Sequence, residues 1–240
     1  MAEPMYADAA AERRPLSRRR AGRDRTDVLA AAARVIAERG ADATRFTDVS
    51  AASGVPVSSL QYDFGSREDM LVAAFRYRSR FELDGLREDL AALGSPWQRL
   101  ERVTEVALGG FGSDPSEPGR LWVESWRFAL RDPELREDVL ADNAAWRDMI
   151  AQAVRDGVRS GDFTAAVDPD RVAVQAVALF DGIGLPVALG DPAVSTAATD
   201  LVLDALGVLL GYARRPRAGT GKATTAQSGP GTGARSRRRT

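Results

Sequence analysis

The chain has 240 residues, 28% of them charged and 44% hydrophobic, which is enough apolar material to bury a core without covalent staples. It contains no cysteine and no histidine, which excludes disulfides, thiolate and imidazole metal sites, and nucleophiles activated by a histidine base. The formal net charge of −1 hides a segregation: residues 13–67 carry eleven arginines against six acids, residues 68–212 fourteen against twenty-five, and residues 213–240 eight bases and no acid.

Residues 1–22, rich in Ala, Arg and Glu with no helical face long enough to bury, are predicted to form a flexible basic arm. Arg13, Arg14, Arg18, Arg19 and Arg20, with Arg23 just beyond, either raise the local field or enter a minor groove, and the first reading is preferred. No apolar stretch of signal-peptide length follows them, so a cytoplasmic protein is expected. From residue 23 the apolar residues recur at helical spacing, as in Leu29, Ala32, Ala33 and Ile36, and strand alternation is not sustained. An all-α fold of about nine helices is predicted. Gly40 and Gly54 close the first two helices, Phe64-Gly65-Ser66 separates the third from the fourth, and Gly94-Ser95-Pro96 ends the fourth. Residues 112–119 read as a loop, Asp132-Pro133 as the start of a long helix, residues 161–169 as a loop, and Gly190-Asp191-Pro192 as the lead into the last helix. The most apolar window, Val172 to Leu189, is interrupted by Gln175, Asp181 and Pro186 and is read as a buried helix, with no membrane involved. Residues 213–240 are expected to be a disordered basic tail. Its Lys222, the only lysine, lacks the glycine and hydroxyl context of a phosphate loop.

Asp48 to Arg67 is the most informative stretch. A helix of about seven residues ends at Gly54, Ser53-Gly54-Val55-Pro56 turns the chain, and a second short helix follows. Val49, Ala52, Val55 and Leu60 are placed to hold the two helices together as a helix-turn-helix. Many small helical hairpins share that geometry, so the pattern alone leaves DNA binding open.

The residues go further than the geometry. Gly40, Thr44, Asp48-Val49, Ser53-Gly54-Val55, Leu60, Phe64, Ser66-Arg67-Glu68 and Leu71 resemble the N-terminal signature of TetR-family transcriptional regulators, over roughly residues 26–75. Leu121 to Trp126 and Arg131 to Leu135 are similar to family members as well. The resemblance implies an N-terminal three-helix DNA-binding domain, placed at residues 23–75, and a larger helical effector-binding and dimerisation domain, placed at residues 76–212. It further implies a homodimeric repressor, released from a palindromic double-stranded operator by a small molecule. The sequence departs from the signature at Arg45, Pro56, Gln61 and Arg67. The tyrosine usual at Gln61 is displaced to Tyr62, so Gln61 gains the capacity to read adenine through its amide.

By chemistry, Ser58, Ser59 and Gln61 suit base edges, Val57 a thymine methyl, and Arg45, Thr47, Tyr62 and Arg67 phosphates. A competing reading makes Ser58 and Ser59 helix-start residues and packs Tyr62 inside.

In the second domain, Trp122 and Trp126 share a helix face, and Trp146 follows in the next helix. With Phe111, Phe128, Met149 and Phe180 as apolar lining and Gln175 and Asp181 as polar groups, they form a candidate pocket for an apolar or cationic small molecule. Ordinary core packing of the tryptophans is the competing reading, as is an interface position for Asp181. The last two helices are apolar around most of their circumference, which predicts a homodimer through a four-helix interface. No cofactor, metal or catalytic residue is expected: carboxylates such as Glu124 and Asp181 show no spacing that would converge them on a substrate. The alternative function is a helical dimeric binding or adaptor protein that has lost sequence-specific DNA recognition.

Overall fold

The computed structural model describes residues 17–109 and 116–213, with side chains from Arg25 onward. Phe111, Arg13, Arg14 and the tail from residue 214 lie outside the described residues, as do the side chains of Arg18, Arg19, Arg20 and Arg23.

Four helices build the N-terminal part: α1 (Ser17–Arg39), α2 (Phe46–Ser53), α3 (Val57–Phe64) and α4 (Arg67–Ala92). Helix α1 begins six residues inside the stretch expected as an arm. Arginine and alanine are good helix formers, which supports a helix that begins this early. Gly40, at φ 80°, ends α1 and donates its N–H to Ile36 O at 2.8 Å. The buried Thr44 hydroxyl donates to Gly40 O at 2.9 Å and locks the exit from that turn. Gly54, at φ 74°, provides the turn between α2 and α3. Ile36, Val49, Leu60, Phe64, Met70 and Leu71 close a first core, to which Leu121, Ala129 and Leu135 from the rest of the chain contribute.

The body comprises α5 (Pro96–Gly109), α6 (Ser116–Ala129), α7 (Pro133–Ser160), α8 (Pro169–Ala188), α9 (Pro192–Ser195) and α10 (Ala198–Leu210). The described residues thus hold ten helices, the extra one being the single turn α9. Three of these helices begin with Asp-Pro. The Asp132, Asp168 and Asp191 carboxylates accept N–H groups of the first turn, while proline occupies a position that needs no donor. The second core gathers Leu100, Val103, Ile150, Val154, Leu203, Leu206 and Leu210. At its end Trp97 stacks on Tyr212, ring centroids 4.3 Å apart, with Phe163 edge-on to both.

Helix α8 is not the fully buried helix expected. Val172, Ala173, Ala176 and Phe180 are inside, but Val174, Leu185 and Leu189 are exposed. It is the one helix among the described residues that is long and apolar enough to cross a membrane, and its inner side packs on α5, α6, α7 and α10.

Candidate functional site

Two regions carry chemistry, one at the tip of the N-terminal part and one inside the body. At the tip, α3 presents Ser58, Ser59, Gln61 and Tyr62 to solvent, with Val57 half-buried. Tyr62 is 90% exposed, which removes the reading that packs it inside. Thr47 is exposed on the first turn of α2. Arg45 is exposed, although its Nη1 donates to the carbonyls of Asp42 and Thr44. Arg67 departs from expectation: its Nη1 donates to Ala41 O at 2.7 Å and Thr44 O at 3.2 Å, and Nη2 pairs with Glu68 at 3.0 Å. A planar donor fork beside two open carbonyls satisfies them first, so Arg67 holds the α1–α2 loop and is not displayed for a phosphate.

The second region is a chamber of about 150 Å³, partly open to solvent and lined by α4, α5, α6, α7 and α8. Trp122, Trp126, Trp146, Phe180 and Asp181 all line it, as the sequence suggests. The Trp122 and Trp126 rings lie 5.4 Å apart and tilted, so both offer π surface nearby. Phe128, Met149 and Gln175 are not among the lining residues. Phe128 sits two residues past Trp126, on another side of α6, and packs on Phe75 and the first core at 6.0 Å. Met149 packs against the second core, and Gln175 lies off the α8 stripe of Val177, Phe180, Asp181, Gly184 and Val187 that faces the chamber.

The sequence reading missed the polar half of the lining. Helix α4 contributes Arg78, Ser79 and Glu82, and α7 contributes Asp142 and Asn143. Asp142 and Asn143 lie one turn before Trp146, so projecting that helix from its tryptophan would have found them. Arg78 pairs with Glu82 at 2.9 Å, and Ser79 Oγ donates to Asp142. Asp181 has no hydrogen-bonding or ionic partner among the described residues. Burial raises the carboxyl pKa of Glu82, Asp142 and Asp181 above the ordinary range. Three carboxylates facing one arginine beside aromatic walls give a surface suited to a cation.

Helix α6 connects the two regions. One of its sides carries Trp122 and Trp126 into the chamber, and another carries Glu124 and Arg127 to the α1–α2 loop. Glu124 Oε2 accepts the Ala41 N–H at 2.8 Å and the Arg127 guanidinium at 2.9 Å, while Arg127 pairs with Asp42 at 2.8 Å. The Arg127 hydrogen bond holds the Asp42 carboxyl below its usual range. No group of His, Cys, Asp and Glu able to hold a metal ion occurs among the described residues.

Comparison with known proteins gives matches to both parts. Residues 28–74 match the family model described as bacterial regulatory proteins, tetR family, and residues 96–211 match the BetI-type transcriptional repressor C-terminal model. The HTH-type transcriptional regulator BetI of Rhizobium meliloti (strain 1021) is 26% identical over 178 residues, covering 73% of this chain and 83% of that protein. Among solved structures, a transcriptional regulator from Saccharomonospora viridis in complex with choline has a TM-score of 0.69 at 26% identity, covering 80% of this chain and 96% of its own. A TetR-family regulator from Rhodococcus sp. has a TM-score of 0.66 at 27% identity, covering 78% and 99%.

Proposed function

The chain belongs to the TetR family of bacterial regulatory proteins, and from that premise we propose that it is an intracellular homodimeric repressor whose effector is a small organic cation. It is a ligand-responsive DNA-binding transcriptional regulator. The observation that carries the effector class is the chamber, where three tryptophans meet Glu82, Asp142 and an unpaired Asp181. A quaternary ammonium has no N–H to satisfy and is held by π faces and diffuse negative charge, both of which this lining supplies. The Saccharomonospora viridis relative is in complex with choline, and a cavity of about 150 Å³ takes a ligand of that size class, roughly benzene-sized.

Ser58, Ser59 and Gln61 would read base edges from α3, with Val57 against a thymine methyl. Arg45, Thr47 and Tyr62 would hold phosphates, and Arg67 would keep the loop beneath them in place. The effector would favour a dimer conformation whose reading heads are wrongly spaced for the operator, and α6 is the direct physical link for that shift.

The test is selection of bound duplexes from a random pool at several salt concentrations, followed by titration of choline onto the recovered duplex. Recovery of a palindrome with half-sites about one helical turn apart, released by choline, is expected. Alanine at Ser59 and Gln61 should then cost about 1–3 kcal/mol per lost base contact while helix content is kept. Salt-labile, sequence-blind binding would overturn the repressor reading in favour of the adaptor.

A further inference from the structure

The polar groups around the chamber divide by whether they already have partners. On the α4 side, Arg78 pairs with Glu82 at 2.9 Å and Ser79 Oγ donates to Asp142, so those groups largely satisfy one another. On the α7–α8 side, Asn143, Arg147 and Asp181 have no ionic or hydrogen-bonding partner among the described residues.

These three groups share one place. Outside the chamber a groove of about 200 Å³ runs between α7 and α8, lined by all three together with Val174, Val177 and Ala178. Asn143, Val177 and Asp181 also line the chamber, so the two cavities share a wall. On α7, Arg147 stands four residues after Asn143, about 6 Å further along the helix and on the same side of it. Asn143 and Asp181 are half-buried and Arg147 is exposed, so the wall carries a carboxylate and an amide and the open groove a guanidinium. Asp181 and Arg147 line one groove yet form no ion pair with each other. Opposite charges left apart in this way suit a ligand that carries both.

The charge of the chamber sets the direction in which such a ligand lies. Glu82, Asp142 and Asp181 against Arg78 attract an ammonium head and repel an anion. About 150 Å³ takes a head the size of choline and little more, so a longer substituent has to leave past the shared wall. An anionic substituent leaving there meets the Asn143 amide, which can donate to it, and then the Arg147 fork, which can hold a carboxylate or phosphate through two parallel bonds.

We propose that the effector is zwitterionic, with an organic ammonium head in the chamber against Asp181 and a carboxylate or phosphate arm that passes Asn143 to reach Arg147 in the groove. The inference rests on the reading of the chamber as a cation site and deepens it. Arg147 is then the residue that separates a zwitterion from a simple cation.

The test uses the full chain and compares two probes by tryptophan fluorescence and calorimetry: choline, and carnitine, which has the same trimethylammonium head and a hydroxyl together with a carboxylate arm. Carnitine should bind roughly threefold to tenfold tighter, the scale of one solvent-open but bidentate ion pair. Arg147→Gln, its helix content verified by circular dichroism, should abolish that preference while choline affinity stays within about twofold. Carnitine that binds no tighter than choline overturns the inference and leaves the cation reading intact. A preference that survives Arg147→Gln also overturns it, since Arg78, whose buried Nη2 makes no well-aligned hydrogen bond, would then hold the arm. An equal loss for both probes overturns it as well, because Arg147 would be acting on the fold and not on the arm. If neither probe binds, the cation reading and the inference fall together.

Discussion

The carboxylates of the chamber give effector binding a dependence on pH. Burial raises Glu82, Asp142 and Asp181, so on acidification they neutralise before ordinary surface carboxylates, whose values lie near 4. Arg78 opposes the shift at Glu82, Ser79 opposes it at Asp142, and Asp138 adds to it there. Choline affinity should therefore fall as pH drops toward the usual carboxylate range from above, and binding in that window should release protons to the buffer. Calorimetry in buffers of different ionisation enthalpy checks both. The sign for stability is opposite: in that window the ligand-free folded protein holds protons that the unfolded chain has lost, so its stability rises as pH falls. Legibility in the sequence also varies residue by residue. Trp122, Trp126 and Asp181 could be nominated because each is conspicuous in its own helix. Arg78, Ser79 and Glu82 are ordinary charged or polar residues whose role depends on where α4 passes α7, some sixty residues later in the chain.

At the level of elements, helix-turn-helix geometry is the most readable because it is local: Gly40 and Gly54 end their helices by their own backbone preference, within a few residues of the core they define. Helix α6 is the opposite case. Its spacing puts Trp122 and Trp126 on one side, but nothing local says that Glu124 and Arg127 will meet a loop more than eighty residues earlier. Phe128 reads as lining in the sequence for the same reason, an aromatic in the right helix on the wrong side of it. If α6 is the link between chamber and reading head, Arg127→Ala should leave choline binding within about twofold. The ratio of operator affinities without and with choline should shrink roughly tenfold, about 1.4 kcal/mol of coupling. Fluorescence anisotropy on a labelled operator measures it, and an unchanged ratio would remove Arg127 from the pathway.

For the whole molecule, assembly is the property most exposed to a single substitution. Val208 is 84% exposed on α10, and Val208→Glu would place a charge in the face expected to pair with a second copy. Sedimentation should then report a monomer with helix content retained, and operator affinity should fall roughly 10²–10⁴-fold as the second half-site is lost. The two separate cores have a consequence of a different kind. Helix α4 belongs to both, giving Met70, Leu71 and Phe75 to the first and Leu86 to the second. The first core is the smaller of the two, with six alanines among its seventeen buried residues against five among twenty in the second, so its local opening should require less free energy than that of the body. Amide hydrogen exchange should therefore divide α4 into two halves, the end near Met70 exchanging through a partial opening and the end near Leu86 only with the body. A protein that frays first at its reading end would give up its DNA while its chamber is still folded.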